Sequence, residues 1–140
     1  MKKYVLAFIF DASLEKVLLI HKSRPEWQKG KINGIGGKVE DAESEIAAIV
    51  RETKEETDLI IGEEKFVHLG KMSSEEWIVE IFICIYQGSM ADAKSIEDQH
   101  VEWFSVNNLP VNVLDNLRWL IPLSLTKLSN NQVKKIEVTY

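Results

Sequence analysis

The sequence has few of the features that would set it apart from ordinary globular proteins. Cys84 is the single cysteine among 140 residues, which excludes an internal disulfide and favours a reducing, cytoplasmic setting. Its place inside an apolar run indicates a core thiol rather than a nucleophile. No apolar run approaches the length of a membrane span, and no repeat or linker interrupts the chain. We therefore predict a single domain over residues 1–140 that does not associate with membranes.

Acidic residues outnumber basic ones by 22 to 17, which gives the chain a net charge of −5. This balance disfavours stable binding to nucleic acid. Residues 22–38 are an exception, with five basic residues opposed by one acid and followed directly by an acidic stretch. Such a pair of segments suits a polyphosphate held through metal on one side and through cations on the other, although single lysines here could equally be solvated. The basic residues are Lys22, Arg24, Lys29, Lys31 and Lys38.

The acidic stretch, residues 40–58, contains eight acids and only two bases. Glu52, Glu55 and Glu56 stand at positions i, i+3 and i+4, so a helix would place them in one cluster. Three neighbouring like charges are unfavourable unless something neutralises them, and a hard divalent cation with oxygen ligands is the obvious candidate. A solvated charged face is the alternative, but such faces normally interleave charges of both signs.

The spacing in this stretch resembles the Nudix box, whose pattern is Gly-x5-Glu-x7-Arg-Glu-apolar-x-Glu-Glu-x-Gly-apolar. Thr53 departs from it by replacing an aliphatic residue, and Asp58 departs by replacing a glycine. We expect the Thr53 hydroxyl to bond to the carbonyl of Ile49, and Asp58 to adopt the left-handed conformation at a cost of about 1 kcal/mol or less. Residues 37–59 match at seven positions: Gly37, Glu43, Arg51, Glu52, Glu55, Glu56 and Leu59.

Apolar patterning along the rest of the chain predicts strands that flank two separated helices. Residues 22–37 are predicted to be a loop, and the first two strands to form a hairpin. This order predicts an α/β fold, and the resemblance implies the Nudix-type α/β/α sandwich with a mixed sheet between helices. The predicted strands are residues 4–10, 16–20, 65–72, 77–87, 101–106 and 134–140, and the predicted helices are residues 44–56 and 112–128.

The resemblance implies a hydrolase that uses Mg²⁺, or else Mn²⁺, to cleave a nucleoside diphosphate linked to another group. Glu52, Glu55 and Glu56 correspond to the metal-binding glutamates, and one of them would also accept a proton from the attacking water. The backbone carbonyl of Gly36 would complete the metal ligands. The resemblance does not indicate which glutamate is the base.

Three further acidic or basic residues are assigned catalytic roles through the resemblance. Arg51 and Glu43 correspond to groups that orient the loop and helix rather than react. Asp98 falls where related enzymes carry an extra acid that assists the metal or the water, and Glu97 is a close alternative. A solvated loop acid remains the other interpretation of this position.

Residues 31–40 resemble the MutT-type branch, which hydrolyses nucleoside triphosphates to monophosphates and pyrophosphate. In this branch an asparagine at the position of Asn33 contacts the base, and paired acids read the purine edge where this chain has Asp115 and Asn116. Either residue could instead cap the second helix. Arg24 and Lys38 are the candidates for binding phosphate.

The leading prediction is therefore a magnesium-dependent hydrolase of a ribo- or deoxyribonucleoside triphosphate, with oxidised purines among the candidate bases. Hydrolysis of ADP-ribose or a dinucleoside polyphosphate is one alternative, although the ADP-ribose group usually carries a proline after the box and this chain has none between Pro25 and Pro110. A nucleotide sensor without turnover is another, although such domains usually lack one of the glutamates. Both a monomer and a homodimer are compatible with the sequence. The three histidines share no metal-ligand spacing and are assigned no role.

Overall fold

A computed structural model of the protein describes residues 1–96, 98–130 and 132–140. Eight strands and two α-helices follow one another within these residues. Short 3-10 turns at Glu26–Gln28, Glu63–Lys65 and Met90–Asp92 lie in the connections. The bounds are β1 Lys2–Asp11, β2 Lys16–His21, β3 Ile32–Asn33, β4 Ile35–Lys38, α1 Glu45–Thr57, β5 Val67–Ser73, β6 Trp77–Tyr86, β7 His100–Ser105, α2 Leu117–Asn130 and β8 Ile136–Thr139.

Strand β1 is buried on both faces, which explains its unbroken apolar sequence. Successive side chains of a strand point to opposite faces. Ala7 accordingly packs in the core cluster that contains Ile49 of α1, whereas Phe8 packs in the cluster that contains Leu120 of α2. The sheet thus lies between the two helices, and the predicted α/β/α sandwich is confirmed.

The sheet is mixed and has the order β3-β2-β1-β6-β5-β8, with β4 also paired to β1 and β7 to β2. Strands β1 and β6 are parallel, as are β5 and β8, and the remaining pairs are antiparallel. The predicted hairpin of β1 and β2 is confirmed, and Asp11 closes its turn by accepting a 2.8 Å hydrogen bond from the backbone nitrogen of Lys16. The predicted last strand is β8, at the end of the sheet order.

The start of the second helix was predicted wrongly. Residues 112–116 were expected to be helical, but α2 begins at Leu117. Asn112 and Leu114 instead exchange backbone hydrogen bonds of 3.0 and 2.9 Å with Ile32, so the intervening Val113 forms a bridge to β3. Pairing with a distant strand therefore overrides the helical spacing of the apolar residues.

The prediction of a loop over residues 22–37 is also wrong in part, because β3 and most of β4 lie within it. Both strands are short, and the two glycines of β4 give no β signal. Cys84 is buried, as expected. Among the described residues, no helix combines the length and the apolar character needed to cross a lipid bilayer.

Candidate active site

Two glycines of β4 bring this strand against β1 and against α1. A Cβ atom added to Gly36 would lie 2.0 Å from the backbone oxygen of Val5 on the paired strand β1. A Cβ atom added to Gly37 would lie 2.5 Å from Oε1 of Glu52 on α1. Only glycine fits at either position without a shift of the backbone or of the carboxylate. The glycines of the motif thus allow the acidic helix to approach the sheet.

Helix α1 carries the acidic residues and closely matches its predicted bounds. Ser44 caps its first turn by accepting a 3.2 Å hydrogen bond from the nitrogen of Ala47. Asp58 ends it in the left-handed conformation, with φ of 65°, as expected. The predicted hydrogen bond of Thr53 is wrong, because its buried Oγ1 has no hydrogen-bond partner. The carbonyl of Thr53 instead accepts from the hydroxyl of Thr57, at 2.7 Å.

Arg51 joins the loop before α1 to the helix. Its Nε and Nη2 donate to the two carboxylate oxygens of Glu43 at 2.7 and 3.0 Å, and Nη2 also donates to the backbone oxygen of Lys38 at 3.0 Å. Hydrogen bonds from Arg51, together with one from the backbone of Glu40, lower the pKa of Glu43 to about 2. The bidentate geometry gives this pair both strength and orientation. Arg51 and Glu43 therefore occupy positions suited to the orienting role that the resemblance implies.

The remaining nitrogen of Arg51 lies between two of the clustered glutamates. Nη1 donates to Oε1 of Glu52 at 2.9 Å and to Oε2 of Glu55 at 3.2 Å. The side chain of Glu52 is only 14% exposed, whereas that of Glu55 is 57% exposed. Burial raises the pKa of Glu52, and Arg51 opposes this effect. Both glutamates therefore accept a hydrogen bond from Arg51, but Glu52 is largely buried and Glu55 is exposed to solvent.

Glu56 is the most deeply buried of the three, with 8% of its surface exposed. Its Oε1 accepts a 2.9 Å hydrogen bond from the backbone nitrogen of Gly36. Burial raises its pKa to about 7, against the lowering effects of the Gly36 hydrogen bond and of Lys22. A carboxylate with so few compensating charges is a position where an added cation would be strongly favoured.

The donor set is composed of carboxylate oxygens and therefore fits a hard divalent ion such as Mg²⁺. Among the described residues, the group of three metal-ligating side chains whose ligand atoms lie within 4.8 Å of one another is His21, His100 and Glu102, and it does not include the glutamates of α1. Arg51 holds Glu52 and Glu55, while Gly36 holds Glu56.

A cavity of about 890 Å³ opens beside the acidic helix. Of the predicted catalytic and metal-binding residues, only Gly36, Glu52 and Glu56 line it; Glu43, Arg51, Glu55 and Asp98 do not. Asp98 is exposed, and Glu97 lies outside the described residues. All five predicted substrate-binding residues line the cavity: Arg24, Asn33, Lys38, Asp115 and Asn116.

The polar groups in this cavity are partly held in place by the protein. Asn33 donates from Nδ2 to Gln28 at 3.0 Å, and its Oδ1 accepts from the nitrogen of Gly34 at 2.8 Å. Asn116 donates weakly from Nδ2 to the sulfur of Met72, at 3.5 Å. Its Oδ1 is buried and has no hydrogen-bond partner.

Several lining residues were not identified from the sequence. Trp77 lines the cavity together with Trp27, which is 70% exposed. The alternation of Trp77 and Val79 along β6 could have indicated a shared face. No local signal links β5, β6 and β8 to the acidic helix. The other unpredicted lining residues include Tyr4, Met72, Gln99 and Tyr140, whereas Lys22 belongs to the basic segment singled out in the sequence.

Comparison with known proteins is consistent with this geometry. A family model described as NUDIX domain matches residues 2–123. The chain is similar to an oxidized purine nucleoside triphosphate hydrolase of Danio rerio, at 35% identity over 132 residues that cover 88% of this chain and 80% of the relative.

Solved structures with the same fold include a MutT NUDIX hydrolase from Burkholderia pseudomallei, with a TM-score of 0.73 at 20% identity, covering 87% of this chain and 96% of that one. A NUDIX hydrolase from Nitrosomonas europaea also has a TM-score of 0.73, at 16% identity, covering 99% of this chain and 78% of that one. At these identities, the structural similarities establish the fold alone.

Proposed function

Because the chain belongs to the Nudix hydrolase family, we propose that it hydrolyses a nucleoside triphosphate to a monophosphate and pyrophosphate. The Danio rerio relative is an oxidized purine nucleoside triphosphate hydrolase, and we extend that substrate class, with either sugar, to this chain. Nudix enzymes generally use divalent metal ions, and we propose Mg²⁺ here, with Mn²⁺ as a substitute. We further propose that residues 1–140 form one domain and that the protein acts in the cytoplasm.

One observation carries this proposal: a single cavity is lined by both phosphate-directed and base-directed groups. Glu52, Glu56 and Lys38 are the charged groups suited to a metal–polyphosphate unit, whereas Asn33 and Asn116 are amides suited to a base edge. A volume of about 890 Å³ falls in the range of about 300–1,000 Å³ typical of small-molecule sites.

The buried carboxylates support the metal part of the proposal. Glu56 is held by the Gly36 amide and Glu52 by Arg51, so both oxygen donors are oriented before any ligand binds. A bound Mg²⁺ would supply Lewis-acid activation of water and would neutralise charge on the phosphates. Burial raises the pKa of Glu56 to about 7, and a bound cation would lower it again by favouring the carboxylate. Lys22 and Lys38 would pair with phosphate oxygens.

The segment just before α2 supports the assignment of the base-binding part. Asp115 and Asn116 both line the cavity, and the Asp115 carboxylate is an acceptor that favours a base edge presenting hydrogen-bond donors. The rings of Trp27 and Trp77 offer apolar faces against which a base can stack.

The test is chromatographic analysis of the products formed from a nucleotide panel in the presence of Mg²⁺. The panel contains canonical and oxidised purine triphosphates, pyrimidine triphosphates, ADP-ribose and diadenosine polyphosphates. We expect pyrophosphate from a purine triphosphate well above the rest. Formation of nucleotide products only from ADP-ribose or dinucleotides, with no pyrophosphate from any triphosphate, would reassign the substrate class. Nucleotide binding without turnover on any member would favour a sensor.

A further inference from the structure

A cluster outside the cavity joins two neighbouring strands through metal-ligating side chains. His21 at the end of β2 lies directly opposite His100 at the start of β7, and Glu102 follows two residues along on the same face of β7. Nε2 of His21 lies 3.2 Å from Oε1 of Glu102, and Nε2 of His100 lies 3.7 Å from the same oxygen. One ligand atom from each residue lies within 4.8 Å of the others.

The orientation of His100 is set by a group beyond the cluster. Its Nδ1 lies 3.2 Å from Oγ of Ser95, and this oxygen also accepts a 3.1 Å hydrogen bond from the nitrogen of Val101. When Nδ1–H donates to Ser95, Nε2 carries the lone pair and faces Glu102. Histidines that bind metals are usually held in this way, with the second ring nitrogen donating to an oxygen.

We propose that His21, His100 and Glu102 form a binding site for a borderline divalent cation of the Zn²⁺ class. Zn–N bonds of about 2.0–2.1 Å in a tetrahedron place ligand atoms roughly 3.3 Å apart. The distances of 3.2 and 3.7 Å to the Glu102 oxygen are close to this separation. The side chains of His21 and His100 are 39% and 60% exposed, so an ion can reach both rings from solvent. Three protein ligands leave a fourth position for water.

This site differs in chemistry from the carboxylates of α1. Two imidazole nitrogens and one carboxylate suit Zn²⁺, Ni²⁺ or Cu²⁺, whereas a set of oxygen donors suits Mg²⁺. The cluster is nevertheless close in sequence to the cavity, because Lys22 follows His21 and Gln99 precedes His100, and both line it. A bound ion would link the ends of β2 and β7 at the positions from which these two residues extend.

The first test is calorimetric titration of the full chain with zinc chloride in saturating Mg²⁺, which occupies oxygen-only sites. We expect one Zn²⁺ per chain. His21→Ala and His100→Ala each remove a metal ligand. Each should weaken Zn²⁺ binding by more than the removal of a residue that only hydrogen-bonds to a ligand, which costs roughly 10–100-fold in affinity. Ser95→Ala should weaken it by about tenfold. The matched control is His68→Ala, because His68 pairs with Glu80 on other strands. A second control is Glu52→Gln, and both controls should keep the Zn²⁺ affinity of the unaltered chain.

The second test uses the unaltered chain and does not depend on any variant folding. The sequence contains three histidines, so each imidazole can be followed by ¹⁵N NMR during addition of zinc chloride. We expect the ring nitrogens of His21 and His100 to shift together at one equivalent while those of His68 remain in place. Zn²⁺ binding that the two alanine variants leave unchanged, or equal shifts of all three histidines, would overturn the proposal. Absence of any Zn²⁺ binding would also overturn it.

Discussion

At the scale of single residues, the environment of Glu56 separates it from the other acids of α1. It is 8% exposed and has a backbone donor, whereas the side chain of Glu55 is 57% exposed. Glu56→Gln keeps the shape of the side chain but removes its charge from the proposed metal site. We expect turnover to fall by about 10²-fold or more while the fold is retained. Steady-state kinetics with Mg²⁺ and circular dichroism would measure the two quantities.

The matched control for this variant is Glu45→Gln, since Glu45 lies on the first turn of the same helix with a side chain 40% exposed. It should leave turnover unchanged. Unchanged turnover in Glu56→Gln would show that the metal site is misassigned.

The pair of Glu43 and Arg51 predicts a dependence of stability on pH. The pKa of Glu43 falls from its ordinary value of 4.5 to about 2, chiefly through hydrogen bonds from Arg51. A depressed folded-state pKa means that ionised Glu43 stabilises the protein above about pH 4.5, and that this stabilisation is lost as the pH falls toward 2. Glu43→Gln should therefore lower the melting temperature at pH 7, and the difference from the unaltered protein should shrink between pH 4.5 and 2.

Thermal unfolding monitored across this pH range would check the prediction. Glu63→Gln serves as the control because Glu63 is exposed in a 3-10 turn away from Arg51. A difference between the Glu43 variant and the unaltered chain that stays constant from pH 7 to 2 would contradict the expected linkage.

At the scale of elements, α1 contains two buried threonines with opposite roles. Oγ1 of Thr53 has no partner, whereas Oγ1 of Thr57 donates to the carbonyl of Thr53 and accepts from the nitrogen of Leu59. Valine has the same shape without the hydroxyl. Thr53→Val should raise the free energy of unfolding by about 1 kcal/mol, because an unsatisfied buried oxygen is removed.

Thr57→Val is the matched control, and it should lower the free energy of unfolding by about 1–3 kcal/mol because two buried hydrogen bonds are lost. Urea denaturation of both variants measures the difference. Destabilisation of similar size in both would show that the Thr53 hydroxyl has a partner in solution. An aliphatic residue is also what the Nudix pattern has at this position.

At the scale of the whole molecule, the cavity combines residues of the acidic helix with residues that precede α2 on the other face of the sheet. Asp115 lines it but lies outside the acidic helix. Asp115→Ala should raise KM for the preferred nucleotide by about 10–100-fold with little change in kcat, because a hydrogen bond from the base to a charged acceptor is lost. Asn108→Ala, at an exposed position outside the cavity, should change neither constant. A fall in kcat alone would contradict base binding at Asp115.

The sequence by itself determined the features that depend on residues close together in the chain. Seven motif positions within residues 37–59 identified the family, and the helix they predicted is α1. The β-rich and helical segments predicted the sandwich, since the periods of 2 and 3.6 residues are local properties. The resemblance likewise implied that Arg51 and Glu43 hold the loop to the helix, and the structure joins these two side chains by hydrogen bonds.

Only the tertiary structure decided which of these residues share an environment. Helical spacing places both Glu55 and Glu56 in the acidic cluster. The packing of β4 against α1, however, buries Glu56 and leaves Glu55 exposed. Pairing with β3 delayed the start of α2, and strand register brought His21 beside His100. Trp77 and Tyr140 likewise reach the cavity through the arrangement of β5, β6 and β8. Contacts between strands far apart in the chain depend on register and packing, which no local pattern encodes.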